Sequence, residues 1–479
     1  MRFVDREGEL RELERFWGSG RAECIPVTGR RRVGKTTLLE RFAAGKRAVY
    51  YRCQLKGAAE QLPLLGAALA QSADDEVLRV QPPANWPAVL ATIERLAARE
   101  RLLLVLDEIP YWVARDESLP SVLQNWWDER GRRLNLMLVL CGSAVQMMEN
   151  LLTGAAPLAG CLTGRLALRP LDYRAAAELV GYDDPILSLS AYGILGGIPL
   201  YLSFFRSDRS LGENIAQAIA SPMARLYVEP QALFAAHHRS YDAPQVMAVL
   251  RAIAHGRHRW SEIADAANVP AASLARMMEP LIGDLGLVER VLPVTEPHPT
   301  RTYFTQYHLA DNFFRFWFRF IEPNQGPIEF GAGEQVVGMI LSQLSDYLGL
   351  PFEALCRDWL RLASAAGTLP VHPVRVGTWW TPDHQLDVVG LDERGQAVAV
   401  GEAKWRAQPF SWEELQRYLG HTYALGHLLR PDALHLLFSR SGYQPEVVAW
   451  ASEARALLLT PEDLYRPWGA DALVGGDRC

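Results

Sequence analysis

The chain has 479 residues, 49% apolar and 22% charged, with 49 Lys and Arg set against 55 Asp and Glu. That length is too great for one hydrophobic core and points to about three domains. The net charge of −6 supplies no global basic field, so any nucleic-acid contact needs a local patch. Six cysteines, at 24, 53, 141, 161, 356 and 479, form no CxxC or Cys/His cluster, which argues against a disulfide framework or structural zinc and fits a reducing compartment. The N-terminus, MRFVDREGEL, lacks the apolar stretch of a signal peptide, and apolar runs such as 102–106 and 136–141 are too short to cross a bilayer. The expectation is a soluble, multi-domain cytoplasmic protein.

Residues 24–28 (CIPVT) read as a buried strand that runs into GRRRVGKTT at 29–37 and then a helical pattern at 38–42. A GxxxxGK[ST] loop in this context curls its backbone N–H groups around phosphates. The expected nucleotide-binding residues are Gly29, Arg30, Arg31, Arg32, Val33, Gly34, Lys35, Thr36 and Thr37. Lys35 reaches the β- and γ-phosphates, and the Thr36 hydroxyl ligates Mg²⁺. A second buried strand at 101–106 ends in Asp107-Glu108. Asp107 suits the Mg²⁺ shell and Glu108 suits the base that takes a proton from water; the bland reading is an ordinary polar strand end. A third strand, 136–141, ends in Gly142-Ser143, where Ser143 either senses the γ-phosphate or merely solvates the strand end.

Together FVDRE, GRRRVGKTT, LLLVLDE and LVLCGS resemble the archaeal-type ATPases of the AAA+/STAND class. The resemblance continues through PLAG (157–160), TGRL (163–166), RPL (169–171) and GGIP (196–199). It implies ATP as the nucleotide, a phosphate-sensing role for Arg165, and a place near the nucleotide for Gly197 and Pro199 in a helical lid. Where the family pattern has arginine this chain has Cys161, so Arg165 must suffice or turnover is slow. Equally, Arg165 pairs with a carboxylate at the sheet edge.

Residues 173–236 alternate at helical spacing, with breaks at Gly181, Pro185, Gly196 and Pro222, and read as a lid-sized helical subdomain. Beyond 242 the pattern predicts helices at 246–254 and 261–267, with Ser261 as N-cap, and a third from 270 to 285 that Pro280 should kink. Strands at 286–292 and 302–309 follow, giving the order of a winged helix, which resembles the corresponding domain of the same ATPases. The expected recognition helix carries only Arg276 as a basic group, which is poor chemistry for reading bases. Arg257, His258, Arg259 and Arg301 suit phosphate contacts instead, so the module touches either DNA or a protein partner. The aromatic run at 311–320 (DNFFRFWFRF) reads as a core helix.

The turn-rich stretch at 323–327 places a linker there, giving expected domains at 1–172 (P-loop ATPase core), 173–240 (lid), 241–325 (winged helix) and 328–465. In the last of these a helix at 352–362 precedes strands at 374–380, 386–391 and 397–405. A turn at 393–396 pairs Asp392 with Ala397 and sets Asp387 opposite Glu402, with Lys404 on the same face as Glu402. Opposed carboxylates repel, and a divalent cation bridging them supplies the relief. Lys404 then orients a water or stabilises charge on a phosphate. Asp387, Glu402 and Lys404 resemble the PD-(D/E)XK nuclease site, and that resemblance adds Glu353 as a metal ligand. The alternative is a salt bridge from Lys404 to Asp387 on a solvated sheet. The fold class expected is α/β multi-domain: a P-loop parallel sheet with helical lid, a winged helix and a restriction-endonuclease-like domain. The leading functional reading is an ATP- and Mg²⁺-dependent switch or motor acting on nucleic acid, DNA ahead of RNA, with no membrane partner. The alternative is a signalling NTPase whose C-terminal modules bind proteins.

Overall fold

The computed structural model describes residues 2–73, 76–154, 156–235, 243–296 and 304–468. It divides into two compact units: Met1–Leu171, with Ile198–Leu200 and Glu279–Gly286, and the remainder. The expected boundary near 172 lies at this division, whereas those near 240 and 325 fall inside the second unit.

The first unit is built on strands β1 (Glu23–Thr28), β2 (Ala48–Arg52), β3 (Leu102–Asp107), β4 (Leu136–Gly142) and β5 (Leu166–Ala167), all parallel, in the order β2-β3-β4-β1-β5. Every residue of β1, β3 and β4 is buried, because helices cover both faces of the sheet. Side chains alternate between two apolar layers: Leu102, Leu104 and Leu106 join Trp112 and Trp126 on one face, while Leu103 and Val105 join Leu38, Phe42 and Leu13 on the other. Helix α1 (Lys35–Ala43) follows the loop after β1, and α2 (Val145–Leu152) follows β4. The arrangement leaves the carboxyl ends of β1, β3 and β4 side by side, the edge at which open α/β sheets bind ligands.

In the second unit, α3 (Ala243–Ala254), α4 (Trp260–Ala267) and α5 (Ala271–Ile282, its last residues counted with the first unit) precede the antiparallel pair β6 (Val288–Val291) and β7 (Gln306–Leu309). Ser261 lies inside α4 rather than at its cap: Glu262 reaches back to the backbone N–H groups of His258 and Arg259, both at 3.2 Å. Pro280 does not end α5, which continues to Ile282. The aromatic run forms a buried core: Phe313, Phe314, Phe316, Trp317, Phe318 and Phe320 are each at most 2% exposed. The stretch expected to be a linker is helical, at Glu322–Asn324 and Gln325–Glu329.

Helix α6 (Gly349–Ala365) then leads to a mixed sheet of β8 (Arg375–Trp380), β9 (Gln385–Leu391), β10 (Ala397–Lys404), β11 (Leu429–Ser439) and β12 (Ala456–Leu459), ordered β12-β11-β10-β9-β8. The first three strands run antiparallel and β10, β11 and β12 parallel. Helix α7 (Trp412–Tyr423) crosses between β10 and β11. The hairpin differs from expectation in its turn. Asp392 pairs with Gln396, its N–H donating to the carbonyl at 2.9 Å, so that Ala397 faces Leu391. A register shift between Ala397 and Ala399 then restores the expected alignment, with Gly401 facing Val388.

Candidate functional site

At the end of β1 the chain must turn sharply to present N–H groups outward, and two glycines permit it. Gly34, immediately before α1, has φ 99°, and Gly29 has φ 149° where a Cβ would come within 2.5 Å of the Leu168 carbonyl oxygen. Lys35 is buried, and its Nζ donates to the Gly29 and Arg30 carbonyls at 2.8 and 3.0 Å. Burial holds the Lys35 ammonium below its ordinary pKa against the opposing pull of Glu108 and Asp107.

Thr36 and Asp107 meet as the motif requires: Thr36 Oγ1 donates to Asp107 Oδ2 at 3.1 Å. Asp107 is 1% exposed and its other oxygen, Oδ1, is buried without a hydrogen-bond partner. An unpartnered buried carboxylate oxygen beside a threonine hydroxyl is a donor set that fits Mg²⁺. Glu108, next along, has φ 55°, a left-handed conformation that costs a non-glycine residue about 1–3 kcal/mol and concentrates at functional sites. Its Oε2 accepts from both the Ser143 N–H (3.1 Å) and Ser143 Oγ (2.8 Å), which links the ends of β3 and β4.

Two residues here escaped the sequence reading. Tyr50 OH donates to Asp107 Oδ2 at 2.7 Å, and Arg52 Nε lies 3.7 Å from the same oxygen. Burial and the adjacent Asp107 push the Tyr50 phenol far above its ordinary pKa, so it stays a donor. Neither carries a local signal, because β2 becomes Asp107's neighbour only through sheet pairing, Arg52 with Asp107. Tyr50→Phe should raise the Mg²⁺ concentration needed for half-maximal ATP turnover by about 10–100-fold, the usual effect of losing a group that orients a metal ligand; a Mg²⁺ titration of turnover checks it. Arg6, from the FVDRE stretch, donates to the Val33 carbonyl at 3.4 Å and the Arg169 carbonyl at 2.8 Å, tying the N-terminus to the phosphate loop.

Arg165 makes the carboxylate pairing that stood as the alternative to phosphate sensing. Its Nη2 pairs with Glu149 Oε1 at 3.1 Å, and it lines a cleft of about 950 Å³ with Glu23 and Asn135. Arg165 immediately precedes β5, whose Leu166 and Ala167 pair with Val27 and Thr28 of β1. Cys161 is buried, and burial pushes its thiol up to about 11, so it remains neutral and cannot replace an arginine. Pro199 opens the short helix Pro199–Leu202, and Ile198–Leu200 belong with the first unit. Gln146, at the start of α2, donates its N–H to Asp284 Oδ1 at 3.1 Å, and Gly286 leaves room for the Arg30 side chain.

In the second unit α6, β9 and β10 assemble a partly buried charged cluster. Asp387 is 5% exposed; its Oδ2 accepts from the Ala403 N–H at 3.0 Å and its Oδ1 from Gln385 Nε2 at 3.3 Å. Lys404 Nζ lies 2.6 Å from Glu402 Oε1, so the lysine pairs with Glu402 and not with Asp387. Glu402 Oε2 is buried without a partner. Burial, reinforced by Asp387, pushes Glu353 up to about 8 and Glu402 up to about 7. Burial works against the Lys404 ammonium, but Glu402 outweighs it and the pKa is raised. Arg357 Nη1 donates to the Asp387 carbonyl at 2.9 Å, anchoring α6, and with it Glu353, on β9. Three acids and one lysine leave an excess of negative charge that a proton or a metal cation would satisfy. Among the described residues no group of three or more His, Cys, Asp or Glu is already drawn around one point, so the cluster is a set of oxygen donors rather than a closed cage.

Residues 3–204 match a family described as an ATPase domain predominantly from Archaea. That stretch is therefore similar to an archaeal-type P-loop ATPase domain. Residues 317–418 match a second family, described as archaeal and bacterial proteins of unknown function. An uncharacterized protein of Methanocaldococcus jannaschii is 26% identical over 409 residues, covering 84% of this chain and 88% of its own. An uncharacterized ATP-binding protein of the same organism is 49% identical over 45 residues, 9% of this chain and 76% of that one. A Walker-type ATPase of Pyrococcus abyssi shares the fold with TM-score 0.52 at 21% identity, covering 66% of this chain and 96% of its own. No helix among the described residues is long and apolar enough to cross a membrane.

Proposed function

We propose that this P-loop ATPase hydrolyses ATP with Mg²⁺ and uses the cycle to control metal-dependent phosphodiester cleavage in nucleic acid. The observation that carries the reading is the buried, unpartnered oxygen found at both centres, Asp107 Oδ1 beside Thr36 and Glu402 Oε2 beside Asp387. At the first, Mg²⁺ held by Thr36 and Asp107 would offset charge on the phosphate oxygens. Lys35 moves from the Gly29 and Arg30 carbonyls to the nucleotide, and the loop N–H groups hold its phosphates. Glu108, oriented by Ser143, accepts the proton of the attacking water.

At the second centre Glu353, Asp387 and Glu402 would hold Mg²⁺ or Mn²⁺, which would supply Lewis-acid chemistry for phosphodiester hydrolysis. Lys404 would orient the attacking water or offset the charge developing on the phosphate. This is the chemistry of the PD-(D/E)XK nucleases, and the helix at 349–365 followed by β8, β9 and β10 agrees with their order of elements. The helical segment after 173 serves as lid, and the three helices and two-stranded pair from 243 to 309 as a winged helix. Within the first unit, Asp284 accepts from the Gln146 N–H and Gly286 lies beside the Arg30 side chain of the phosphate loop.

Measuring ATP turnover and metal-dependent cleavage with the full chain, with and without DNA and RNA, tests the whole reading. Turnover stimulated by nucleic acid, together with cleavage that stops in EDTA, is expected. Turnover indifferent to nucleic acid and no cleavage of either would favour the signalling alternative. Of the basic side chains expected to touch phosphates, Arg257 and Arg259 are exposed. His258 is turned inward, its Nδ1 3.1 Å from the Tyr307 carbonyl and its ring stacked 4.1 Å from His308; Arg301 lies outside the described residues. Replacing Arg257 and Arg259 with Ala should reduce the slope of log affinity against log salt by about one for each phosphate no longer neutralised, read from binding isotherms at several salt concentrations.

A further inference from the structure

Beside the carboxylate cluster two histidines converge. His384 closes the turn before β9: its N–H donates to Thr381 Oγ1 at 3.1 Å and its carbonyl accepts from the Thr381 N–H at 2.8 Å. His421 occupies the last turn of α7, a helix held at its start by the reciprocal Ser411–Glu414 cap and along its length by Tyr418 OH donating to the Val400 carbonyl at 3.0 Å. The two Nδ1 atoms are 3.0 Å apart, with rings inclined at 74°.

We propose that His384 and His421 form a binding site for a borderline divalent transition metal of the Zn²⁺, Ni²⁺ or Co²⁺ class, distinct in ligand chemistry from the carboxylates. Nitrogen ligands at about 2.0–2.1 Å from one ion, separated by angles of about 90–109°, stand about 2.9–3.4 Å from each other. The histidine nitrogens already have that spacing, which otherwise accommodates a single shared proton. Burial and the neighbouring His384 hold the His421 imidazole below its ordinary pKa. Of the charged groups that face it, Asp387 favours a cation while Arg417 and Lys404 oppose one. Arg417 is exposed to water, and Lys404 is neutralised by Glu402, so the opposition is weak. Imidazole selects zinc, nickel and cobalt over magnesium, whereas carboxylates do the reverse. Among the described residues no third His, Cys, Asp or Glu completes the set, so the remaining positions are open to water or a ligand oxygen. A metal here cross-links the turn before β9 to the end of α7, next to Asp387.

The inference does not rest on the nuclease reading and is tested separately from it. The EDTA-stripped full chain is titrated calorimetrically with Zn²⁺ while excess Mg²⁺ occupies the carboxylates. A saturable Zn²⁺ equivalent is expected, lost in His384→Ala and in His421→Ala and retained in Asp387→Asn. X-ray absorption of the wild-type chain loaded with that equivalent should show imidazole scattering, and this reading does not depend on any variant folding. Absence of the equivalent, its survival in both histidine variants, its loss in Asp387→Asn alone, or a spectrum without imidazole overturns the proposal.

Discussion

Glu108→Gln should leave ATP bound and lower turnover by about 10²–10⁴-fold, the range expected for removing a general base. The amide keeps an oxygen to accept from the Ser143 N–H and hydroxyl, so the geometry linking β3 and β4 survives while proton affinity is lost. Lys35→Ala should behave differently, because it removes charge that holds the phosphates; nucleotide affinity itself should fall. Equilibrium binding of a fluorescent ATP analogue, paired with phosphate release, separates the two. A Glu108→Gln chain that turns over at the wild-type rate would remove the base from Glu108 and return it to the role of an ordinary strand end.

The second large effect belongs to the charged cluster. Glu353 and Glu402 have folded-state pKa values raised to about 8 and about 7 by burial and by Asp387. The folded chain therefore holds protons that the unfolded chain has released, and stability contributed by the neutral acids is lost as pH rises from about 4.5 through those values. Without divalent metal, the melting temperature of the full chain should fall between about pH 5 and 8. Mn²⁺ added without nucleotide should reverse that fall at pH 8, by about 2.7 kcal/mol at a free concentration 100 times its dissociation constant. Glu402→Gln and Asp387→Asn should each abolish the metal increment and all cleavage, and Glu402→Gln should also flatten the pH profile. Neither should alter basal ATP turnover, whose phosphate loop, Asp107 and Glu108 lie in the first unit. Lys404→Ala should retain the metal increment, since a competing cation has gone, yet lose cleavage. A wild-type melting temperature indifferent to Mn²⁺ at pH 8 would make the cluster a binding surface.

Much of the nucleotide centre was legible because its chemistry is contiguous. Gly29 to Thr37 must curl, and glycine adopts the positive-φ backbone of Gly34 at the least cost; Asp107 and Ser143 announce themselves as polar ends of apolar strands. The hairpin alignment was reached by a different route from the one assumed. A shorter turn and a register shift offset one another, and strand periodicity cannot foresee a bulge. Arg165 was left between two readings for a related reason: family spacing says how far along the chain a residue lies, not that its partner is Glu149.

The amino-acid sequence by itself determined the elements whose cause is local: the phosphate loop, the period-two strands, the acids that end them and the lysine two residues beyond Glu402. Tertiary structure decided what depends on neighbours distant in the chain. It brought Tyr50 and Arg52 onto Asp107 through parallel pairing, gave Lys404 to Glu402 rather than Asp387, and buried Glu353 beside both acids. It also set His384 against His421, 37 positions away, with their nitrogens at ligand spacing. The physical reason is common to all four: a side chain's partners and its pKa follow from packing and desolvation, which exist only once strands and helices have docked.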